Sequence, residues 1–265
     1  METEYQIVEN GLKIPCKLDL PAAGAVRRIV LGVHGLGGST EDAIQRSLAE
    51  EMPMFGSAVV RFDLPAHGSN PLESEGFTVA NCVDTLLAVA ADACRRFPGV
   101  EDLCVFATGF GAYITLNALE TLVEMPVWVK LVVQTPSVMM HETLLSMIRM
   151  SRETFWAMDR YTFPVKRPFT VNYAFYEELA SRIVLNTQPI PMLILMGQED
   201  AYIRMSDIQN FRRINEDSRL VILPGISHRC LEEGAWDMVL DLTRDWFEFE
   251  QVLLCDCEYR NALRP

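Results

Sequence analysis

Positive charge is scarce in this sequence. Its 23 lysines and arginines stand against 36 aspartates and glutamates, a formal net charge of −13 over 265 residues. Nucleic acid is held chiefly by Lys and Arg on phosphate, so this balance argues against it as a partner. It argues equally against docking on an anionic membrane surface. Long apolar runs are also missing. No stretch approaches the roughly 18–20 residues that span a bilayer, so no membrane insertion is expected. Met1-Glu2-Thr3-Glu4-Tyr5 is acidic and leads into no apolar segment, so no secretory signal is expected. The cysteines are odd in number, seven, at positions 16, 82, 94, 104, 230, 255 and 257. Their scatter suits free thiols in a reducing, cytoplasmic setting. Cys255 and Cys257 are spaced too closely for the usual zinc pair, and no second pair is near them. No internal repeat or low-complexity tract is present, and nothing indicates a metal, flavin or nicotinamide cofactor.

What is present is an alternation of strand-like and helix-like segments. Tyr5–Val8 and Leu12–Leu18 flank Asn10-Gly11, a strong hairpin signal. Arg28–Val33 is largely apolar, as in strands buried on both faces of a parallel sheet. Ser39-x-x-Asp42 reads as a helix start with Ser39 as its cap. Further strands are expected at Ser57–Phe62, Leu103–Ala107, Val127–Val133, Met192–Met196 and Arg219–Leu223. Helices are expected at Thr78–Phe97, Phe110–Val123, Ser206–Ile214 and Leu231–Glu248, the first from apolar steps of three and four. This pattern predicts one α/β domain over 1–265, with a mostly parallel sheet, helices on both faces and an N-terminal antiparallel hairpin. Residues 136–187 break the rhythm with no clear strand, and read as a helical insertion over the sheet.

Ligands of parallel α/β sheets bind beyond the carboxyl ends of the strands, so the chemistry is sought just after each one. After the first parallel strand comes His34-Gly35-Leu36-Gly37-Gly38, whose turn would leave backbone N–H groups facing a bound oxygen. After Leu103–Ala107 comes Thr108-Gly109-Phe110-Gly111-Ala112. Its small residues suit the sharp strand-to-helix turn G-x-S-x-G, but its centre is Gly109 rather than serine. Asp200 ends the loop after Met192–Met196, with Glu199 as a competitor for the same role, and His228 follows Arg219–Leu223. Each signal is weak by itself, because glycine turns, loop carboxylates and lone histidines are common. Jointly they fall after the correct strands in the order glycine loop, elbow, acid, histidine.

On these residues the chain resembles the α/β-hydrolase superfamily over nearly its whole length. It is most similar to small bacterial serine esterases and lipases of the monoacylglycerol lipase and cinnamoyl esterase kind. Asp63-Leu64-Pro65-Ala66-His67-Gly68-Ser69-Asn70 also resembles that group's D-x-x-G-H-G-x-S loop, with Ala66 and Asn70 departing from it. The resemblance implies that Asp200 orients His228, that His228 is general base and then acid, and that the N–H groups of Leu36 and Phe110 hold the oxyanion. His67 would be structural, and residues 136–187 would be a cap that shapes the pocket.

The departure is at the nucleophile. Gly109 carries no atom that can attack a carbonyl, and Thr108 should point elsewhere. Two explanations follow. In one, the native residue is serine, and glycine is an engineered change that silences a carboxylic ester hydrolase. In the other, Gly109 is natural, and a hydrolase-fold pseudoenzyme binds a ligand or partner without cleaving it. The persistence of Asp200 and His228 favours the first. A thioesterase or peptidase using the same residues remains open, whereas a dehalogenase would need Asp at the elbow.

The expected substrate is a small ester with an apolar or aromatic part. The insertion is rich in Met and aromatic residues, which line such clefts or pack the insertion onto the core. Phe155, Trp156 and Tyr176, with His34 and Gly35, are the expected binding residues. Arg149, Arg152, Arg160, Lys166 and Arg167 either meet an acidic substrate end or balance Glu153 and Asp159.

Overall fold

The strand β1 (Glu2–Glu9) turns at Asn10-Gly11 into β2 (Leu12–Asp19). Asn10 and Gly11 both have positive φ, +50° and +81°, as a tight hairpin turn requires. The computed structural model describes residues 2–249, so Cys255 and Cys257, where no zinc site is expected, lie outside the described residues.

Six further strands join the same sheet: β3 (Arg28–Val33), β4 (Ser57–Phe62), β5 (Asp102–Thr108), β6 (Trp128–Gln134), β9 (Met192–Glu199) and β10 (Arg219–Ser227). The sheet runs β1-β2-β4-β3-β5-β6-β9-β10. β2 pairs antiparallel with β1 and β4, and the other neighbours pair in parallel. Side chains alternate between the two faces. Ile29, Leu31 and Val33 of β3 join one core and Val30 the other; Leu103, Val105 and Ala107 of β5 join the first and Cys104 and Phe106 the second. Burial on both faces explains why these strands read as continuous apolar runs.

The helices α1 (Ala43–Glu51) and α8 (Ala235–Phe249) cover one face. The helices α2 (Val79–Arg96), α3 (Phe110–Leu122) and α7 (Met205–Ile214) contribute to the other. α2 starts where the sequence indicates, with the Thr78 hydroxyl accepting the Asn81 N–H at 3.1 Å. α1 does not. It begins at Ala43 with Asp42 as N-cap, while Ser39 closes only a local turn by accepting the Glu41 N–H. The Thr40 N–H, in the turn ahead of the helix, donates to Asp63 Oδ1 at 2.8 Å.

The segment between β6 and β9 holds α4 (Met140–Ile148), α5 (Arg152–Met158) and α6 (Tyr173–Ser181), as a helical insertion should. It also holds an antiparallel hairpin that corrects the expectation of no strand there: β7 (Arg160–Phe163) with β8 (Phe169–Asn172). Phe163 stacks on Phe169 at 4.9 Å, and Thr162 and Thr170 share a hydrogen bond of 2.8 Å across the pair.

No helix among the described residues is long and apolar enough to cross a membrane. Among the same residues no cluster of His, Cys, Asp and Glu is arranged to hold a metal ion. The five described cysteines are free thiols.

Candidate active site

The carboxyl ends of β3, β5, β9 and β10 meet at one cavity of about 390 Å³, and Gly109 and His228 both line it. Three local devices aim the groups there.

The first is the elbow between β5 and α3. Gly109 has φ +50° and ψ −111°, a conformation that costs strain for any residue with a Cβ. Beyond its neighbours in the chain, a Cβ built there meets within 4 Å only His228 Nε2, at 3.9 Å. Two residues on, the space is gone. A Cβ on Gly111 would lie 2.4 Å from the carbonyl oxygen of His34 and 2.7 Å from that of Val33. Glycine at 111 is therefore what lets α3 approach β3, whereas position 109 has room for a side chain facing the histidine.

The second device carries His228. Leu223 pairs with Gly197 and Ser227 with Glu199, so β10 uses four steps where β9 uses two. This bulge re-aims the chain that follows it. His228 Nδ1 then lies 2.7 Å from Asp200 Oδ2. The other oxygen of Asp200 accepts the N–H groups of Tyr202 at 2.8 Å and Ile203 at 3.0 Å. Three donors thus fix a carboxylate whose side chain is wholly buried, with 0 % exposure against 20 % for His228. Because Nδ1–H goes to Asp200, the lone pair of Nε2 faces residue 109. The Tyr202 ring stands edge-on to the imidazole at 5.2 Å. Glu199, the competing acid, is exposed.

The third is the turn after β3. Gly38 N–H closes it onto Gly35 O at 3.0 Å, and Gly37 N–H donates to His67 Nε2 at 2.9 Å. Neither bond uses the Leu36 N–H. Phe110 begins α3, so its N–H is one of the helix's orphan donors. Leu36 and Phe110 line the cavity together with Gly109.

Two histidines pin this turn reciprocally. His34, in the turn, accepts the Leu64 N–H on Nε2 at 3.0 Å, and His67, in the neighbouring loop, accepts Gly37. Their Nδ1–H groups donate to Gly35 O and Pro65 O, at 2.9 and 2.8 Å. The rings are 5.3 Å apart. Burial and the nearby His34 hold His67 down at about 3. Asp63 anchors the same loop through the Ser69 N–H and hydroxyl, both at 2.8 Å.

The five residues expected to contact substrate are not gathered in one place. Gly35 lines the cavity, but His34 is 1 % exposed and its ring serves the clasp. Phe155 and Tyr176 are buried against each other and Tyr173, inside the insertion. Trp156 points to solvent, 68 % exposed. The insertion instead meets the cavity through Met140, Thr143, Met147 and Val165. Val165 closes on the turn, since its Cγ1 is 3.1 Å from where a Gly37 Cβ would be. Asp42, Ile44, Arg229, Leu231 and Trp236 line it as well. Burial raises the Asp42 carboxyl above its ordinary range. Thr135 also lines the cavity and has φ +45°, a strained value for a β-branched residue. No sequence signal marks these positions, apart from their place after strands or beside predicted loops.

The basic residues of the insertion face elsewhere. Arg167 donates to the backbone carbonyls of His67, Gly68, Asn70 and Leu72, clamping the loop that holds His67. Arg152 donates to the Tyr173 hydroxyl at 2.8 Å, and Arg160 lies 3.7 Å from Asp159.

No protein-family model and no curated protein sequence matches the chain. Solved structures do. Est1E from Butyrivibrio proteoclasticus with ferulic acid bound is 18% identical, with a TM-score of 0.78 over 91% of this chain and 97% of that one. Mouse alpha/beta hydrolase domain-containing protein 10 is 15% identical, with a TM-score of 0.75 over 94% of this chain and 100% of that one. A soluble variant of the Saccharomyces cerevisiae monoglyceride lipase, in complex with a substrate analog, is 16% identical, with a TM-score of 0.71 over 92% and 94%. Together with the strand order and the elbow, these likenesses establish that the chain has the α/β-hydrolase fold.

Proposed function

We propose that this site belongs to a carboxylic ester hydrolase in which position 109 is the place of the nucleophile. The observation that carries this reading is the space at Gly109. A side chain added there meets one atom, the lone-pair nitrogen of a histidine already fixed by a buried carboxylate. A serine hydroxyl at 109 would give its proton to Nε2 as it attacks the ester carbonyl. The developing oxyanion would lie between the N–H groups of Leu36 and Phe110. Asp200 would stabilise the imidazolium, which then protonates the leaving alcohol. Residues 136–187 act as the cap, and Met140, Met147 and Val165 give the cavity an apolar wall suited to an acyl or aromatic part. Ferulic acid in Est1E and a substrate analog in the yeast lipase are ligands of that class in proteins of this fold. With glycine at 109 no acyl-enzyme forms there, and the cavity keeps its capacity to bind such an ester.

The test is Gly109→Ser against p-nitrophenyl esters of increasing acyl length. Turnover should appear, and Asp200→Asn in that background should lower kcat about 10⁴-fold. A serine variant that is folded yet inert on every chain length overturns the proposal.

A further inference from the structure

We infer that the chain with Gly109 is itself a slow general-base hydrolase, in which a water molecule beside Gly109 is the nucleophile. This rests on the reading of the cavity as an acyl-transfer site. Glycine at 109 leaves Nε2 of His228 as the nearest group to the space a Cβ would take, at 3.9 Å. A water oxygen at ordinary hydrogen-bond distance from Nε2 would fall between that atom and the position of the missing Cβ. Water in such a place needs further polar neighbours. Thr108 and Thr135 line the same cavity as Gly109 and His228. The base needs no serine to be set: Asp200 holds Nδ1 at 2.7 Å and is itself held by two backbone N–H groups.

The step balances with water as the only co-reactant. The water oxygen bonds to the ester carbonyl carbon while one of its protons passes to Nε2. The carbonyl π pair becomes an oxyanion facing the N–H groups of Leu36 and Phe110. That pair then re-forms the C=O bond, the bond to the leaving group breaks, and its electron pair departs on the leaving oxygen or sulfur. The proton on Nε2 goes to the leaving group. The products are the acid and the alcohol or thiol, and no acyl-enzyme occurs. Water held by hydrogen bonds is a poorer nucleophile than a tethered alkoxide. The substrates are therefore activated carboxylic esters, those of phenols and thiols, whose leaving groups depart with little help from the proton.

The test uses the protein as it stands, with p-nitrophenyl acetate and S-phenyl thioacetate as probes. Hydrolysis should exceed the uncatalysed rate by about 10³-fold, of the order left when triad members are removed. It should fall at least tenfold in His228→Ala, and also in Gly109→Ala, whose methyl takes the water's place. Intact-mass spectra should show no acyl adduct on the Gly109 protein, whereas Gly109→Ser should show one. Equal rates for the Gly109 protein and both variants, with Gly109→Ser active, sink this inference and leave the ester-hydrolase reading standing. If Gly109→Ser is inert too, that reading fails with it. An acyl adduct on the Gly109 protein also overturns the inference, because another residue would then be the nucleophile.

Discussion

His67 offers the sharpest physical test of how the turn after β3 is held. Its Nε2 accepts the Gly37 N–H and its Nδ1–H donates to Pro65 O, so the ring must be neutral to make both bonds. It is 2 % exposed, and burial together with His34 keeps its folded value at about 3. In the unfolded chain the value is about 6.5. The folded value is the lower of the two, so below pH 6.5 the unfolded chain holds one proton more than the folded one. Stability from this group is complete above about 6.5 and is lost as the pH falls toward 3, at about 1.4 kcal/mol per pH unit. His67→Gln keeps an acceptor for Gly37 and cannot titrate. Urea unfolding at pH 7.5, 6.5, 5.5 and 4.5 should show the protein ahead of the variant at the top of the range. The gap should close by about 2–3 kcal/mol between pH 6.5 and 4.5. Taking the difference between the two proteins removes the acid groups they share. Stability curves that stay parallel would refute both the neutral ring and the clasp built on it.

The other predictions concern packing and strain. Gly111→Ala drives a methyl into the carbonyls of Val33 and His34, so it should cost about 3 kcal/mol. That is a fall of roughly 6–12 °C in Tm, and an unchanged Tm would mean that α3 can back away from β3. Arg167→Met keeps the stem and deletes the donors to the 67–72 carbonyls, so it should cost about 1–2 kcal/mol and speed amide exchange at Gly37. Unchanged exchange would show that the clamp does not reach the turn. Gly109→Ser should gain turnover yet lose about 1–2 kcal/mol in urea unfolding, because its φ stays at a strained value. A more stable serine variant would contradict that strain.

Strands buried on both faces were the most legible part of the chain. β3 and β4 begin and end where the sequence places strands, and every residue in them is buried. The elbow, Asp200 and His228 were legible because fold and chain order confine them to strand ends, and the structure brings Gly109, His228 and Asp200 together. The hairpin of β7 and β8 was not. Four-residue strands give each face two residues, too few for a period, and the pairing depends on Phe169 meeting Phe163 and His67 at 4.9 and 4.5 Å. Composition also could not tell which aromatic residues of the insertion face the cavity. Phe155 and Tyr176 have the chemistry of a binding site but spend it on each other, and the cavity wall falls to Met140 and Met147. The basic residues of the insertion carry the same lesson, since Arg167 serves backbone carbonyls rather than a ligand.

The backbone at position 109 bears on what the glycine means. A glycine in an ordinary strand-to-helix turn has no reason to hold φ +50° and ψ −111° opposite a histidine, because nothing about the residue itself selects that conformation. Here the conformation is imposed from outside. Gly109 N–H is drawn to Gln134 O at 3.0 Å, its carbonyl accepts Tyr113 N–H at 3.2 Å, and Gly111 brings the start of α3 against β3. These constraints involve other residues and survive whatever occupies 109. They turn the missing Cβ toward Nε2 of His228, in a cavity that Leu36 and Phe110 also line. The frame therefore determines where a side chain at 109 would stand, whichever residue occupies the position.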